Sequence, residues 1–289
     1  MRRAKYSKPT KITDKIAIIT GANTGIGKAN AIDLAKRGAK VYIACRDAGK
    51  AENAMREIKR ESGSDTVFFL ELDLASMQSI REFSVKFHAL ENYLHILVCN
   101  AGVMACPKRF TTDGFELQFG VNHLGHFLLT NLLLDLLKQS SPSRIVVVSS
   151  GIYTRGKINK KDLMGELSYG KYSAYSQSKL ANVLFSNELA RRLDQSGVTV
   201  NSCHPGVVRT ELGRHNPKAE KYLVPIFLPW LKTPKEGAQT QIRLAVDPDL
   251  ENVTGKYFEN CKEVDMNQRA KDGEMSAWLF GKSLELVNL

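Results

Sequence analysis

The chain has 289 residues, 43% hydrophobic and 25% charged, a balance that excludes a disordered or fibrous protein and allows one large domain. Lys and Arg outnumber Asp and Glu by 41 to 30, a formal net charge of +11; such a surface attracts an anionic cofactor, an anionic membrane or nucleic acid, and the lack of zinc-finger spacing or an RNA-binding aromatic signature sets nucleic acid aside. The 5 cysteines are scattered and odd in number, which reads as reduced thiols in an intracellular protein, with neither a disulfide framework nor a metal set.

Residues 1–14 form a basic, polar extension without the apolar centre of a signal peptide. From Lys15 onward, short β-branched runs alternate with helical patterns. Strands are predicted at Lys15–Thr20, Lys40–Cys45, Val67–Leu72, His95–Cys99, Arg144–Ser149, Val198–His204 and Gly255–Cys261. Helices are predicted at Ile26–Arg37, Ala48–Glu61, Met77–Leu90, Gly114–Lys138, Tyr172–Gln195 and near Lys235–Val246. Strands spaced by helices in this way build βαβ units. The expectation is one α/β domain over residues 15–289, a doubly wound parallel sheet of seven strands with helices on both faces, Rossmann-type in architecture. No apolar run reaches the length of a membrane span. The expected location is intracellular, either cytosolic or at the surface of the endoplasmic reticulum or mitochondrial membrane.

Ligands of doubly wound sheets sit beyond the carboxyl ends of the strands, so the residues there carry the chemistry. After the first strand comes Thr20-Gly21-Ala22-Asn23-Thr24-Gly25-Ile26-Gly27, then a helix. Glycines allow a tight turn, and the helix N-terminus offers free N–H groups to a pyrophosphate. After the second strand, Cys45 stands where an NAD site places an acid for the ribose, and Arg46 follows. Arg46 can pair with a 2′-phosphate, which favours NADP(H); the other reading has Arg46 in solvent and Asp47 on the ribose. Lys28 either adds charge to that site or lies on the surface. Asp73, followed by Leu74, either accepts from the adenine amino group or caps the next helix. Asn100-Ala101-Gly102 supplies small residues past which a flat ring can slide.

The fifth strand ends at Ser149-Ser150, and Tyr175 lies four residues before Lys179 on one helix face. A free tyrosine, with a pKa near 10, is a poor acid at neutral pH. A lysine cation beside it stabilises the phenolate, and a serine hydroxyl stabilises charge developing on a substrate oxygen. Tyr172 lacks a lysine four residues on. His123 and His126 are three apart without a third ligand, so packing is the expected role and no metal site is expected. His204 precedes Pro205 and is expected at the cofactor-side turn.

The set Thr20–Gly27, Asn100–Gly102, Asn122, Ser150, Tyr175-x-x-x-Lys179 and Pro205-Gly206 resembles the short-chain dehydrogenase/reductase family, over roughly Lys15 to Cys261. The resemblance implies an oxidoreductase in which Tyr175 is the general acid or base and Lys179 lowers its pKa and bonds the nicotinamide ribose. Ser150, with Ser149 as alternative, orients the substrate oxygen, and Asn122 holds a water leading from Lys179 to a proton relay. It further implies cofactor contacts from the glycine loop (Gly21, Asn23, Thr24, Gly25, Ile26, Gly27), from Arg46, Asp73, Leu74, Asn100, Ala101 and Gly102, and from Pro205, Gly206, Val208 and Thr210. Cys99 departs from the family, which often has asparagine there.

Narrower stretches, including Val41–Asp47, Gly120–Thr130 and His204–Arg209, resemble the retinol dehydrogenases of the 11-to-14 group, which act with NADP(H) on retinaldehyde and other apolar carbonyls. The resemblance places a substrate lid at about residues 207–235. Its apolar run Tyr222–Leu231 either closes over an apolar substrate or dips into a bilayer. A homodimer through the long helices after the fourth and fifth strands is the assembly the family suggests. The alternatives are a steroid or xenobiotic carbonyl reductase and a non-catalytic NADP(H)-binding scaffold.

Overall fold

The computed structural model describes residues 4–210, 212 and 231–289. Seven strands are parallel: β1 (Ile16–Thr20), β2 (Lys40–Cys45), β3 (Val67–Glu71), β4 (Ile96–Cys99), β5 (Ser143–Val148), β6 (Val198–His204) and β7 (Tyr257–Glu259). They lie side by side in the order β3-β2-β1-β4-β5-β6-β7. The described helices are α1 (Gly25–Lys36), α2 (Ala48–Ser62), α3 (Met77–Leu90), α4 (Leu117–Phe119), α5 (Gly125–Leu132), α6 (Leu134–Gln139), α7 (Lys171–Arg192), α8 (Pro234–Gly237), α9 (Gln239–Val246) and α10 (Gly273–Leu286).

Side chains alternate across a strand, and here both faces are covered, so the strands read as unbroken apolar runs. On β1, Ile16 and Ile18 enter the core shared with Phe83, Phe127, Leu180 and Phe280. Ala17 and Ile19 enter the other, with Leu34, Ile58 and Ile242. The chain leaves β1 for one face and β4 for the opposite face. These two strands are neighbours, so a crevice opens at their carboxyl ends, the switch point of a doubly wound sheet.

Three elements differ from expectation. The last predicted strand is shortened to β7, because Asn260 and Cys261 adopt φ of 50° and 57° and turn the chain back. The returning β8 (Lys262–Glu263) is antiparallel to β7, so the sheet has eight strands instead of seven.

The single helix expected over Gly114–Lys138 is broken. Gly114 lies outside it at φ 82°, and the Glu116 carboxylate caps α4 by accepting from the N–H groups of Gln118 and Phe119. Between α4 and α5, Gly120–Leu124 winds as a π-turn in which the Gly125 N–H donates to the Gly120 carbonyl. The flanking glycines are required sterically. A Cβ would lie 2.5 Å from the Thr111 methyl at Gly120 and 2.6 Å from the Leu74 carbonyl at Gly125.

Helix α10 lies beyond the last predicted element, although Asp272 caps it and Met275, Trp278, Leu279 and Leu286 carry helical spacing. It lies across α5 and α7, the face that the family resemblance suggested for a homodimer. The Phe280 ring meets Phe127 at 4.9 Å and Phe185 at 6.3 Å, under the Arg192 guanidinium at 4.1 Å. Phe280→Ala empties this buried cluster and is expected to lower stability by about 3–5 kcal/mol, read from the urea midpoint; a change below about 1 kcal/mol would mean that α10 is only loosely seated.

The described part of the basic extension packs against the domain. Tyr6 is buried, its N–H donating to Gln239 at 2.9 Å, and Lys8 pairs with Asp247 and Asp249. No helix among the described residues is long and apolar enough to cross a membrane. The run Tyr222–Leu231 falls, except for Leu231, outside the described residues.

Candidate active site

Thr20 ends β1 at the switch point, and its hydroxyl joins both sides of the crevice. It accepts the N–H groups of Asn100 and Ala101, each at 2.9 Å, and lies 2.8 Å from His126 Nε2. Asn100 donates in turn to the Thr20 carbonyl and accepts from Gln241. The backbones here approach so closely that glycine is obligatory. A Cβ at Gly27 would lie 2.5 Å from the Gly21 carbonyl and 2.6 Å from Asn100 Nδ2. Gly21 itself has φ 65°. Thr24 precedes α1 without capping it through its side chain, and the first turn of α1 carries no acid. Such an N-terminus suits an anionic group, so the loop fits a dinucleotide pyrophosphate.

At the end of β2, burial pushes the Cys45 thiol up to about 12, so it is neutral, and it receives the Asn23 N–H. Asp47 Oδ1 accepts from the Lys50 N–H at 3.0 Å and caps α2. Of the two expectations for this turn, that engages Asp47 with its own helix and leaves Arg46, which is exposed, facing outward. A cavity of about 200 Å³ opens between the glycine loop and α2, lined by Asn23, Thr24, Lys28, Lys50, Asn53 and Glu57 among others. Lys28 lies at its rim, paired with Glu57 at 2.5 Å.

Asp73 does not cap the next helix; Ser76 does, by accepting from Ser79. Asp73 Oδ1 instead accepts the Ala75 N–H at 3.0 Å. On the far side, the segment after β6 folds back over the glycine loop. Thr210 Cγ2 lies 3.1 Å from the place of a Gly25 Cβ, and a Cβ at Gly237 would meet both Val208 (2.7 Å) and Ile26 (3.2 Å). Gly206, at φ 91°, turns around the Lys232 side chain, which donates to the Pro205 carbonyl and to Asn260.

The candidate catalytic groups converge beside this crevice. Tyr175 is 5% exposed and Tyr172 is 55% exposed, so the two tyrosines are separated by burial. The Tyr175 phenol hydrogen-bonds Ser150; burial pushes its pKa up to about 12, and the serine bond lowers it. Lys179 Nζ lies 5.8 Å from the Tyr175 ring centre and donates to the Val148 carbonyl at 3.1 Å. Burial pulls this lysine down to about 8. The alternative serine is otherwise engaged: Ser149 is buried and donates to the Lys179 carbonyl at 2.7 Å.

Asn122 sits in the π-turn with its side chain committed. It accepts from the Val103 N–H at 2.8 Å and donates to the Val103 carbonyl and the Ser178 hydroxyl, each at 2.9 Å. A Cβ on Gly102 would lie 3.1 Å from Asn122 Oδ1 and 3.6 Å from Lys179 Nζ, so these three residues share one pocket. His204 packs its ring over Gly151, held down to about 4 by burial and by Lys232 and Lys179. Among the described residues no three His, Cys, Asp or Glu side chains gather as a metal site. Sequence reasoning missed the joining roles of Thr20 and His126. The one available signal was the four-residue step from Asn122 to His126 along a helix face.

Residues 15–221 match the family model of the short chain dehydrogenases. The chain belongs to that family. This short-chain dehydrogenase, an oxidoreductase, is 49% identical over 305 residues to retinol dehydrogenase 14 of Homo sapiens, which covers 100% of the chain and 90% of that relative. Other similar relatives carry the names retinol dehydrogenase 11, 12 and 13. Among solved structures, a protein from Mycobacterium paratuberculosis superposes with a TM-score of 0.81 at 34% identity, covering 98% of each chain. A short chain dehydrogenase from Escherichia coli CFT073, complexed with NADPH, superposes with a TM-score of 0.71 at 26% identity, covering 89% of this chain and 100% of that one.

Proposed function

We propose that this short-chain dehydrogenase interconverts apolar aldehydes or ketones and their alcohols with NADP(H), and that retinaldehyde and retinol are the principal pair. The observation that carries the chemistry is the buried Tyr175, bonded to Ser150 with Lys179 beside it, at the edge of a crevice suited to a dinucleotide. The names of the relatives support the retinoid.

When bound, the nicotinamide supplies the hydride in reduction and takes it up in oxidation. The chain supplies the rest. The Ser150 hydroxyl and the Tyr175 phenol both bond the substrate oxygen and fix its position. As negative charge gathers on that oxygen, Tyr175 releases its proton to it. The Lys179 ammonium stabilises the phenolate left behind, against the burial that otherwise disfavours it. Because the Asn122 side chain is committed to Val103 and Ser178, its main-chain carbonyl, which also accepts from His126, is the group with a lone pair left to hold a water that leads protons away from Lys179.

Preference for the 2′-phosphate is supported by a neutral Cys45 and by Asp47 acting as a helix cap; Arg46, which is exposed, is the group proposed to pair with the phosphate. Arg46→Ala is expected to raise the KM for NADPH about ten- to hundredfold and leave that for NADH nearly unchanged. Equal effects on both would remove Arg46 from the phosphate site. Residues 15–289 act as one catalytic domain, with residues 207–235 as its substrate lid. The face covered by α10 leaves self-association, where it occurs, to another surface. The basic surface supports peripheral contact with anionic lipid at the endoplasmic reticulum or mitochondrial membrane.

The deciding experiment follows cofactor oxidation at 340 nm with NADPH and NADH, against all-trans-retinaldehyde, a straight-chain apolar aldehyde and a steroid ketone. Rapid NADPH-dependent turnover of retinaldehyde is the expected result. Turnover of the steroid alone makes it a steroid carbonyl reductase. NADPH binding with silence on every carbonyl makes it a scaffold.

A further inference from the structure

We infer that His126 is a positioning residue that sets the distance between the cofactor wall at Thr20 and the catalytic turn at Asn122. It lies on α5, is 2% exposed, and its ring touches both sides: Nδ1 is 3.1 Å from the Asn122 carbonyl oxygen and Nε2 is 2.8 Å from Thr20 Oγ1. Thr20, at the end of β1, and Asn122, in the π-turn, are thereby joined by one imidazole.

The protons on this bridge are determined by its partners. A carbonyl only accepts, so Nδ1 carries the proton. Burial and the nearby Lys179 hold the ring neutral, with a pKa pulled down to about 4. Nε2 is then an acceptor, and the Thr20 hydroxyl donates to it. That leaves the two lone pairs of Thr20 for the N–H groups of Asn100 and Ala101, both of which it accepts at 2.9 Å. The Asn100 N–H is shared between the Thr20 hydroxyl and the Val98 carbonyl, at 2.9 and 3.0 Å. The other polar neighbour of Thr20, the Val98 carbonyl at 3.4 Å, is the longer contact.

The need for such a bridge follows from the π-turn. Winding one residue more per turn is less stable than α-helix and recurs at functional sites. Here it places Asn122 beside Gly102 and Lys179. The side chain of Asn122 is anchored to Val103 and Ser178, and His126 anchors its main chain. On the other side, the same ring orients the hydroxyl that fixes Asn100 and Ala101, the wall past which the cofactor would lie.

The inference rests on the reading of Tyr175 and Lys179 as the catalytic pair, and three variants separate the two. An asparagine amide superposes on Nδ1 of histidine, so His126→Asn keeps the bond to Asn122 and loses Thr20. A glutamine reaches the place of Nε2, so His126→Gln keeps Thr20 and loses Asn122. Thr20→Val removes the hydroxyl alone. NADPH affinity is measured by fluorescence titration of each protein, and kcat and KM on whichever carbonyl the wild-type enzyme reduces. His126→Asn and Thr20→Val are expected to weaken NADPH about fivefold in both Kd and KM, with kcat within twofold of wild type. His126→Gln is expected to lower kcat about fivefold and leave the NADPH Kd unchanged.

Wild-type NADPH affinity in both His126→Asn and Thr20→Val overturns the bridge. So does an equal loss of Kd and kcat in the two histidine variants, because a ring that only packs cannot divide its effects. A wild-type protein that reduces no carbonyl fails the catalytic reading, and the NADPH titrations still decide the inference.

Discussion

Tyr175→Phe is expected to leave a folded protein that binds NADPH as tightly as the wild type and reduces carbonyls about 10²- to 10⁴-fold more slowly, the range of a lost general acid. The substitution deletes one oxygen. Its ring stays in place, 5% exposed on α7. The phenol's hydrogen-bond partner, Ser150, is only partly buried and also accepts from the Ile152 N–H at 3.4 Å, so the serine is not stranded. Burial already disfavours the phenolate, holding the pKa near 12, so the stability change is expected within about 1 kcal/mol. Single-turnover rates with saturating NADPH separate chemistry from cofactor release. A variant that turns over at the wild-type rate would assign the proton to another group and remove the proposed mechanism.

The second large effect has two parts of opposite sign. Lys179→Met is expected to abolish most turnover, about 10²-fold or more, while raising stability near pH 7 by about 1–3 kcal/mol. Lys179 is 3% exposed, and burial pulls its pKa to about 8 from 10.5. The Val148 carbonyl that receives its proton also accepts from Asn182 at 3.2 Å, so methionine leaves no orphaned acceptor. Methionine fills nearly the same volume without a charge.

The sign follows from proton counting. Below about pH 8 folded and unfolded chains both hold the lysine proton, and the cost of burying the charge is fully present. Between about 8 and 10.5 the unfolded chain holds more protons, so wild-type stability rises with pH through that window. The methionine variant lacks this rise. Its advantage over wild type, measured by urea unfolding at pH 7 and pH 10, is expected to shrink at the higher pH. A variant less stable than wild type at pH 7, with no such convergence, would show that the lysine is well solvated where it sits.

The seven parallel strands, the glycine loop and the Tyr175–Lys179 pair were determined by the sequence itself. Each is a local periodicity: β-branched runs for strands buried on both faces, glycines at a strand-to-helix turn, and a four-residue step on a helix. Local spacing decides these because neighbouring residues fix their own backbone and facing. Choices between near-equivalent side chains were open in the sequence and closed by packing. Ser149 is drawn inward to the Lys179 carbonyl, which leaves Ser150 for Tyr175. Asp47 turns to cap α2, and Lys28 pairs with Glu57.

The apolar pattern between Leu117 and Gln139 suits a single helix, whereas the π-turn that breaks it lies where Gly120 and Gly125 pass too close to Thr111 and Leu74 for a Cβ, an approach made only in the folded chain. The returning strand β8 depends on two left-handed residues that are not glycine, Asn260 and Cys261, which composition does not announce. Helix α10 and the His126 bridge belong to the same class. Phe280 meets Phe127, and Thr20 meets His126, only after the sheet has brought distant segments together. Which elements form is written in local spacing; which atoms share a proton in the crevice is decided by contacts between residues a hundred positions apart, made only in the folded chain.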